Sequence, residues 1–127
     1  MSEFTLDLDR EARLGFDEAI YCAGKTATQI EAILNQAPQH RDRFLLTRLS
    51  PDKFNLFSSA IAARIDYDAL SQTGILGAPK SLAPVSRVAL ITAGTSDIPI
   101  SREVMRTLNY YGIAATEFND IGVAGLW

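Results

Sequence analysis

The residues best suited to chemistry in this chain lie in one short stretch, VALITAGTSDIPIS, Val88 to Ser101. There an unbroken apolar run gives way in one step to Gly94-Thr95-Ser96-Asp97. A turn that only reverses direction needs one or two such residues. Four in a row, with Pro99 close behind, describe a loop shaped to hold a ligand. Gly94 lets a ligand approach the backbone closely, at a turn that a larger side chain would strain. Thr95 and Ser96 offer hydroxyls, and a helix starting at Asp97 offers free N–H groups to an anion. Asp97 repels phosphate but accepts hydrogen bonds from ribose hydroxyls. A phosphorylated nucleoside suits this set better than inorganic phosphate. The plainer reading makes Ser96 or Asp97 simply the N-cap of that helix.

The elements around this loop are legible. Arg87 to Ala93 reads as a short apolar strand of a parallel sheet covered on both faces. Pro99 is tolerated only in the first turn of a helix, so a helix begins near Asp97. Its expected buried stripe is Ile100, Val104, Leu108 and Tyr111, and Gly112 stands where a left-handed C-cap belongs. IAATEF is the next strand and NDIGVAG its outgoing loop, completing a right-handed βαβ unit from Arg87 to Phe118. In open parallel sheets ligands bind beyond the carboxyl ends of the strands, where AGTSD and NDIGVAG both fall.

The first half of the chain reads as a separate unit. Leu8 to Leu14 suits a short helix that Gly15 ends, and Glu18 to Cys22 a short strand. Thr26 caps the next helix with Gln29 three residues on, a capping-box spacing. Its apolar face is Ala27, Ile30, Ile33, Leu34 and Ala37, and Pro38 stops it. Arg43 to Leu49 is a second strand. Ser50-Pro51-Asp52 opens a further helix with Phe54, Phe57 and Ile61 at helical spacing. Ile65, Tyr67 and Ala69 alternate as in an edge strand. The stretch SQTGILGAPKSLAPVS, Ser71 to Ser86, has linker composition, although GILGA suits a short strand. The expected organisation is a domain over 1–78, a linker over 79–86 and a second, incomplete unit over 87–127.

Composition narrows the function classes. The chain has 127 residues, 47% of them apolar, which fits one domain or one small domain plus part of another. No apolar run approaches a membrane span, and the acidic N-terminus lacks the apolar core of a signal peptide. Cys22 is the single cysteine, which fits a reducing, cytoplasmic setting. Net charge is −3, from 12 basic and 15 acidic residues without a basic stripe, so neither nucleic acid nor membrane is an expected partner.

The remaining constellations are weak. AGKT at Ala23 to Thr26 fails as a phosphate-cradling P-loop, because Ala19 stands where its first glycine is required. Asp66 and Asp68 flank Tyr67 on one strand face and read as a solvated edge rather than a cation site. His40 has no neighbouring His or Cys, and Cys22 in an apolar strand reads as buried and inert. No metal site follows, and no Ser-His-Asp arrangement is available.

The residues LITAGTSDIPIS, YYGIA and DIGVAGL resemble the opening βαβ unit of the LarB family. That family starts synthesis of the nickel-pincer nucleotide cofactor. Its C-terminal half is similar to PurE, the aminoimidazole ribonucleotide carboxylase, which carries a related Gly-Ser-x-Ser-Asp loop. LDLDREARLGFDEAIYCAGKTATQIEAIL and LLTRLSPD resemble the family's N-terminal segment, so the likeness runs from Leu6 to Leu126. Cys22-Ala23-Gly24-Lys25-Thr26 departs from the family's usual Gly-Glu-Gly-Lys-Thr, and Trp127 stands where the family has a histidine.

The resemblance implies an α/β chain: a small N-terminal α/β domain followed by the first βαβ unit of a flavodoxin-like, PurE-like parallel three-layer fold, truncated there. It implies carboxylation of the pyridinium ring of nicotinic acid adenine dinucleotide by CO2 or bicarbonate, with phosphoanhydride hydrolysis releasing AMP. No tightly bound cofactor is implied, and the full-length protein is expected to be a homo-oligomer, as PurE-like domains are. By the PurE-like pattern Gly94, Thr95, Ser96 and Asp97 hold phosphate and ribose, and Asp120, Gly122, Val123, Ala124 and Gly125 form the neighbouring wall. The family's catalytic cysteine lies beyond this stretch, and Cys22 is not its counterpart. The alternative function is a non-catalytic nucleotide-binding or regulatory module that keeps the PurE-like loop.

Overall fold

The computed structural model describes residues 5–7, 9–36 and 41–122. The chain is α/β and divides into two compact units, Met1–Ala78 and Pro79–Trp127.

In the first unit, helix α1 (Arg10–Leu14) ends on Gly15, whose φ of 81° is the left-handed conformation that glycine adopts without steric cost. Strand β1 (Ile20–Tyr21) leads into helix α2 (Ala27–Gln36). The capping box that opens α2 is closed on both sides. The Thr26 N–H donates to Gln29 Oε1 at 3.0 Å, and the Gln29 N–H donates to Thr26 Oγ1 at 3.2 Å. Ile30, Ile33 and Leu34 are the buried face of α2; Ala37, Pro38 and His40 lie outside the described residues.

Strand β2 (Phe44–Thr47) returns parallel to β1, so β1–α2–β2 is a βαβ crossover. Helix α3 (Pro51–Phe54) starts on Ser50, whose hydroxyl accepts from the Lys53 N–H. The single helix expected over Phe54, Phe57 and Ile61 is two short ones, α3 and α4 (Ser59–Ala62), with Phe57 between them. Their aromatic residues are satisfied by tertiary packing instead: Phe54 stacks on Tyr67 at 4.1 Å and meets Phe57 edge-on at 5.8 Å.

Strands β1 and β3 (Ile65–Asp68) are the two edges, and β4 (Thr73–Leu76) lies inside the sheet, whose order is β1-β2-β4-β3. The strand that GILGA suits is thus present within the linker-like stretch Ser71 to Ser86, and every residue of β4 is buried. Gly74 is there for space. A Cβ at that position would sit 2.9 Å from Ile65 and 3.1 Å from Leu46, the residue paired across from it on β2. Gly77, with φ of 81°, turns the chain where any side chain would strike the Asp42 carbonyl.

The second unit pairs β5 (Val88–Ile91) and β6 (Ala115–Phe118) in parallel, joined through a 3₁₀ turn (Thr95–Asp97) and helix α5 (Ile98–Tyr110). Pro99 sits in the first turn of α5, and the Gly112 and Ile113 N–H groups donate to the Asn109 and Leu108 carbonyls, a Schellman closure with φ of 80° at Gly112. Residues 80–83 run along this end: the Lys80 and Ala83 N–H groups donate to the Tyr110 and Gly112 carbonyls.

Two expectations are corrected here. Strand β5 is not covered on both faces, since Val88 and Ile91 are exposed. The stripe on α5 is not the buried one either: Ile100 and Val104 are exposed, and the buried residues are Ser101 and Tyr110. One helix on two strands covers one narrow face, so apolar periodicity exceeds the cover available.

Candidate functional site

The loops after β5 and β6 are tied into one structure. Beyond the strand ends the Thr92 N–H donates to the Phe118 carbonyl at 3.0 Å. The Ile121 N–H then donates to Thr92 O at 3.1 Å, and the Gly122 N–H to Ala93 O at 2.8 Å. Side chains repeat the connection. Thr92 Oγ1 lies 3.1 Å from Asn119 Oδ1 and accepts from the Asp120 N–H at 3.4 Å. The Ser101 hydroxyl, buried in the first turns of α5, lies 2.8 Å from Glu117 Oε1 and 3.0 Å from Asn119 Oδ1. Asp120 and Gly122 both take positive φ, 55° and 76°, which bends the second loop back toward the first.

The structure thus brings Gly94, Thr95, Ser96 and Asp97 to the same end of the sheet as Asp120 and Gly122. Val123, Ala124 and Gly125 lie outside the described residues. Thr95, Ser96 and Asp97 are exposed. Asp97 has a local duty: its Oδ2 accepts the Gly94 N–H at 3.1 Å while its own N–H donates to Gly94 O at 3.0 Å. Its carboxylate points back to Gly94 and makes no cap bond to α5, so the N-cap reading of Asp97 does not describe its side chain. The Thr95 and Ser96 hydroxyls take part in no side-chain hydrogen bond among the described residues.

Gly94 differs from its expectation. Its φ of −130° is ordinary extended backbone, and a Cβ there would be 3.8 Å from the nearest atom. The position leaves room beside the backbone without needing glycine for its conformation.

Chemically the loops offer hydroxyls, main-chain N–H groups and two exposed carboxylates, Asp97 and Asp120, with no basic side chain among them. That set favours polyhydroxyl ligands over bare phosphate, because the carboxylates repel the latter and accept from the former. Sequence reasoning missed Thr92, Ser101, Glu117 and Asn119.

The other singled-out groups are quiet. Cys22 is fully buried and its thiol is pushed up to about 11, chiefly by desolvation, against the pull of Lys53 and Lys25. Asp68 Oδ2 accepts from the Ser71 hydroxyl and N–H. Among the described residues no group of three or more His, Cys, Asp or Glu could hold a metal ion, and no helix is long and apolar enough to cross a membrane.

Residues 1–78 match the LarB/PurE-like N-terminal domain, and the chain belongs to that family. An uncharacterized protein of Methanocaldococcus jannaschii is 29% identical over 129 residues, covering 95% of this chain and 49% of the relative. The chain thus spans about half the length of the curated relative it matches.

Proposed function

We propose that this chain supplies nucleotide-holding loops to LarB-type chemistry. In that chemistry the pyridinium ring of nicotinic acid adenine dinucleotide is carboxylated by CO2 or bicarbonate, and the phosphoanhydride is hydrolysed to release AMP. The observation carrying this reading is the pairing of loops 92–97 and 119–122 through Thr92, Asn119 and Ser101, with the Thr95 and Ser96 hydroxyls left facing outward. Ribose hydroxyls donate to Asp97 and Asp120, and the loop hydroxyls and N–H groups take the phosphate edge. Cys22 is buried and its thiol is pushed up to about 11, so it offers no thiolate for ring activation.

That same burial favours a second reading, a nucleotide-responsive module without catalysis of its own. One experiment tests both. The chain is titrated with AMP by calorimetry and then incubated with nicotinic acid adenine dinucleotide and labelled bicarbonate. Binding without incorporated label is expected. Label in the dinucleotide would show that the chain carries the catalytic apparatus; absence of AMP binding, repeated in a longer homologue with the same loop, would remove the nucleotide reading.

A further inference from the structure

The N-terminal unit contains a cavity of about 430 Å³ that the chemistry above does not use. It runs along β1, an edge strand in a βαβ crossover, from Glu18 and Ala19 before the strand to Gly24 and Lys25 beyond its carboxyl end, where α2 begins. Its size is within the range of small-molecule sites, roughly 300–1,000 Å³. Leu6, Ile20 and Ile33 supply an aliphatic floor. The Tyr21 ring is exposed at the cavity, and Lys25 is half-buried in its wall.

The cavity carries one ammonium, Lys25, beyond the carboxyl end of β1, and one carboxylate, Glu18, before its amino end. None of the ion pairs among the described residues includes Lys25, while the cavity's carboxylate, Glu18, accepts the Asp7 N–H at 3.3 Å. The start of α2 contributes less, because the Thr26 and Gln29 N–H groups are taken up by their own capping box. The wall is preformed. Lys53 reaches from α3 to the Cys22 carbonyl at 2.7 Å and the Ala23 carbonyl at 3.4 Å, which holds the loop carrying Gly24 and Lys25 from behind. At Gly24 even a Cβ would meet nothing within 4 Å, so the cavity side of that loop is open.

An aliphatic floor removes an apolar body from water, a phenol ring offers a face for stacking, and an ammonium in none of the ion pairs among the described residues asks for one anionic group. We propose that this cavity binds a small flat ring bearing a single carboxylate or phosphate, and that it is built entirely from the N-terminal unit. Lys25 holds the anion, Tyr21 stacks on the ring, and Ile20 and Ile33 exclude water beneath it. The P-loop spacing fails at Ala19, consistent with a site for one anionic group rather than a polyphosphate.

The test is a residue-resolved NMR titration of the whole chain with AMP, with nicotinate and with inorganic phosphate. Saturable shifts at the Gly24 and Lys25 amides with either ring-bearing anion are expected, at least tenfold tighter than with inorganic phosphate. Which of the two saturates first tells phosphate from carboxylate. Lys25→Gln should weaken the response about tenfold; Tyr21→Ala should weaken the ring-bearing anions and leave inorganic phosphate unchanged. Unmoved Ile30 and Leu34 resonances show that both variants remain folded. Equal affinity for AMP, nicotinate and inorganic phosphate overturns the proposal. So does unchanged affinity in Lys25→Gln, or a response confined to Gly94 through Asp97, which would leave the C-terminal loops as the only nucleotide site.

Discussion

Replacing Asp97 by Asn separates the ligand role of this residue from its structural one. In the folded chain Asp97 Oδ2 accepts a single bond, from the Gly94 N–H at 3.1 Å, and the side chain is exposed. An Asn amide oxygen reaches the same N–H, so the turn survives. The lost charge at the start of α5 costs at most about 1 kcal/mol, by the usual size of helix-terminus effects at exposed sites. The ribose contact is affected more. A hydrogen bond to a charged acceptor is worth about 1.5–3 kcal/mol, so nucleotide affinity should fall by about one to two decades. Asp97→Ala removes both functions, and stability should then drop by about 1 kcal/mol, as for a lost cap. The assay is calorimetric titration with AMP beside thermal melts, in this chain and in a longer family member carrying the same loop. Affinity that is unchanged in Asp97→Asn while the melting temperature falls would refute the reasoning: the carboxylate would then serve the Gly94 turn alone.

Four further outcomes follow from the geometry. Burial raises the Cys22 thiol to about 11 from 9.0, so the folded state holds its proton more tightly; stability is intact below pH 9 and declines through pH 9–11. Cys22→Ala should flatten that decline by about 1–3 kcal/mol in denaturant melts, and alkylation of Cys22 at pH 8 should require unfolding. Gly77→Ala should cost at least about 2 kcal/mol, because a Cβ would lie 2.3 Å from the Asp42 carbonyl at a φ of 81°. Gly94→Ala, in open extended backbone, should change chemical-denaturation midpoints by less than about 0.5 kcal/mol equivalent. Thr26→Ala opens the α2 capping box and should cost about 1 kcal/mol, read from the same melts and lost helical circular dichroism.

What the sequence determined by itself is local. The Thr26–Gln29 box, the glycine closures at Gly15 and Gly112 and the place of Pro99 all rest on hydrogen bonds or dihedrals within a few residues, so residue type and spacing specify them. The loop Gly94 to Asp97 was legible for the same reason, as polar residues between an apolar run and a helix start. Tertiary structure alone decided the rest. GILGA suits a strand by itself, but the interior place of Thr73 to Leu76 in the sheet was set by packing, because Leu46 and Ile65 need the space that Gly74 leaves. Apolar periodicity marked Ile100 and Val104 as a face seeking cover, but only the packing of α5 on a two-stranded sheet showed which residues obtain it. The link from Thr92 through Asn119 to Ser101 joins positions 27 and 18 residues apart. No pattern of spacing reports such a contact, since its partners become neighbours only when two parallel strands set their ends side by side.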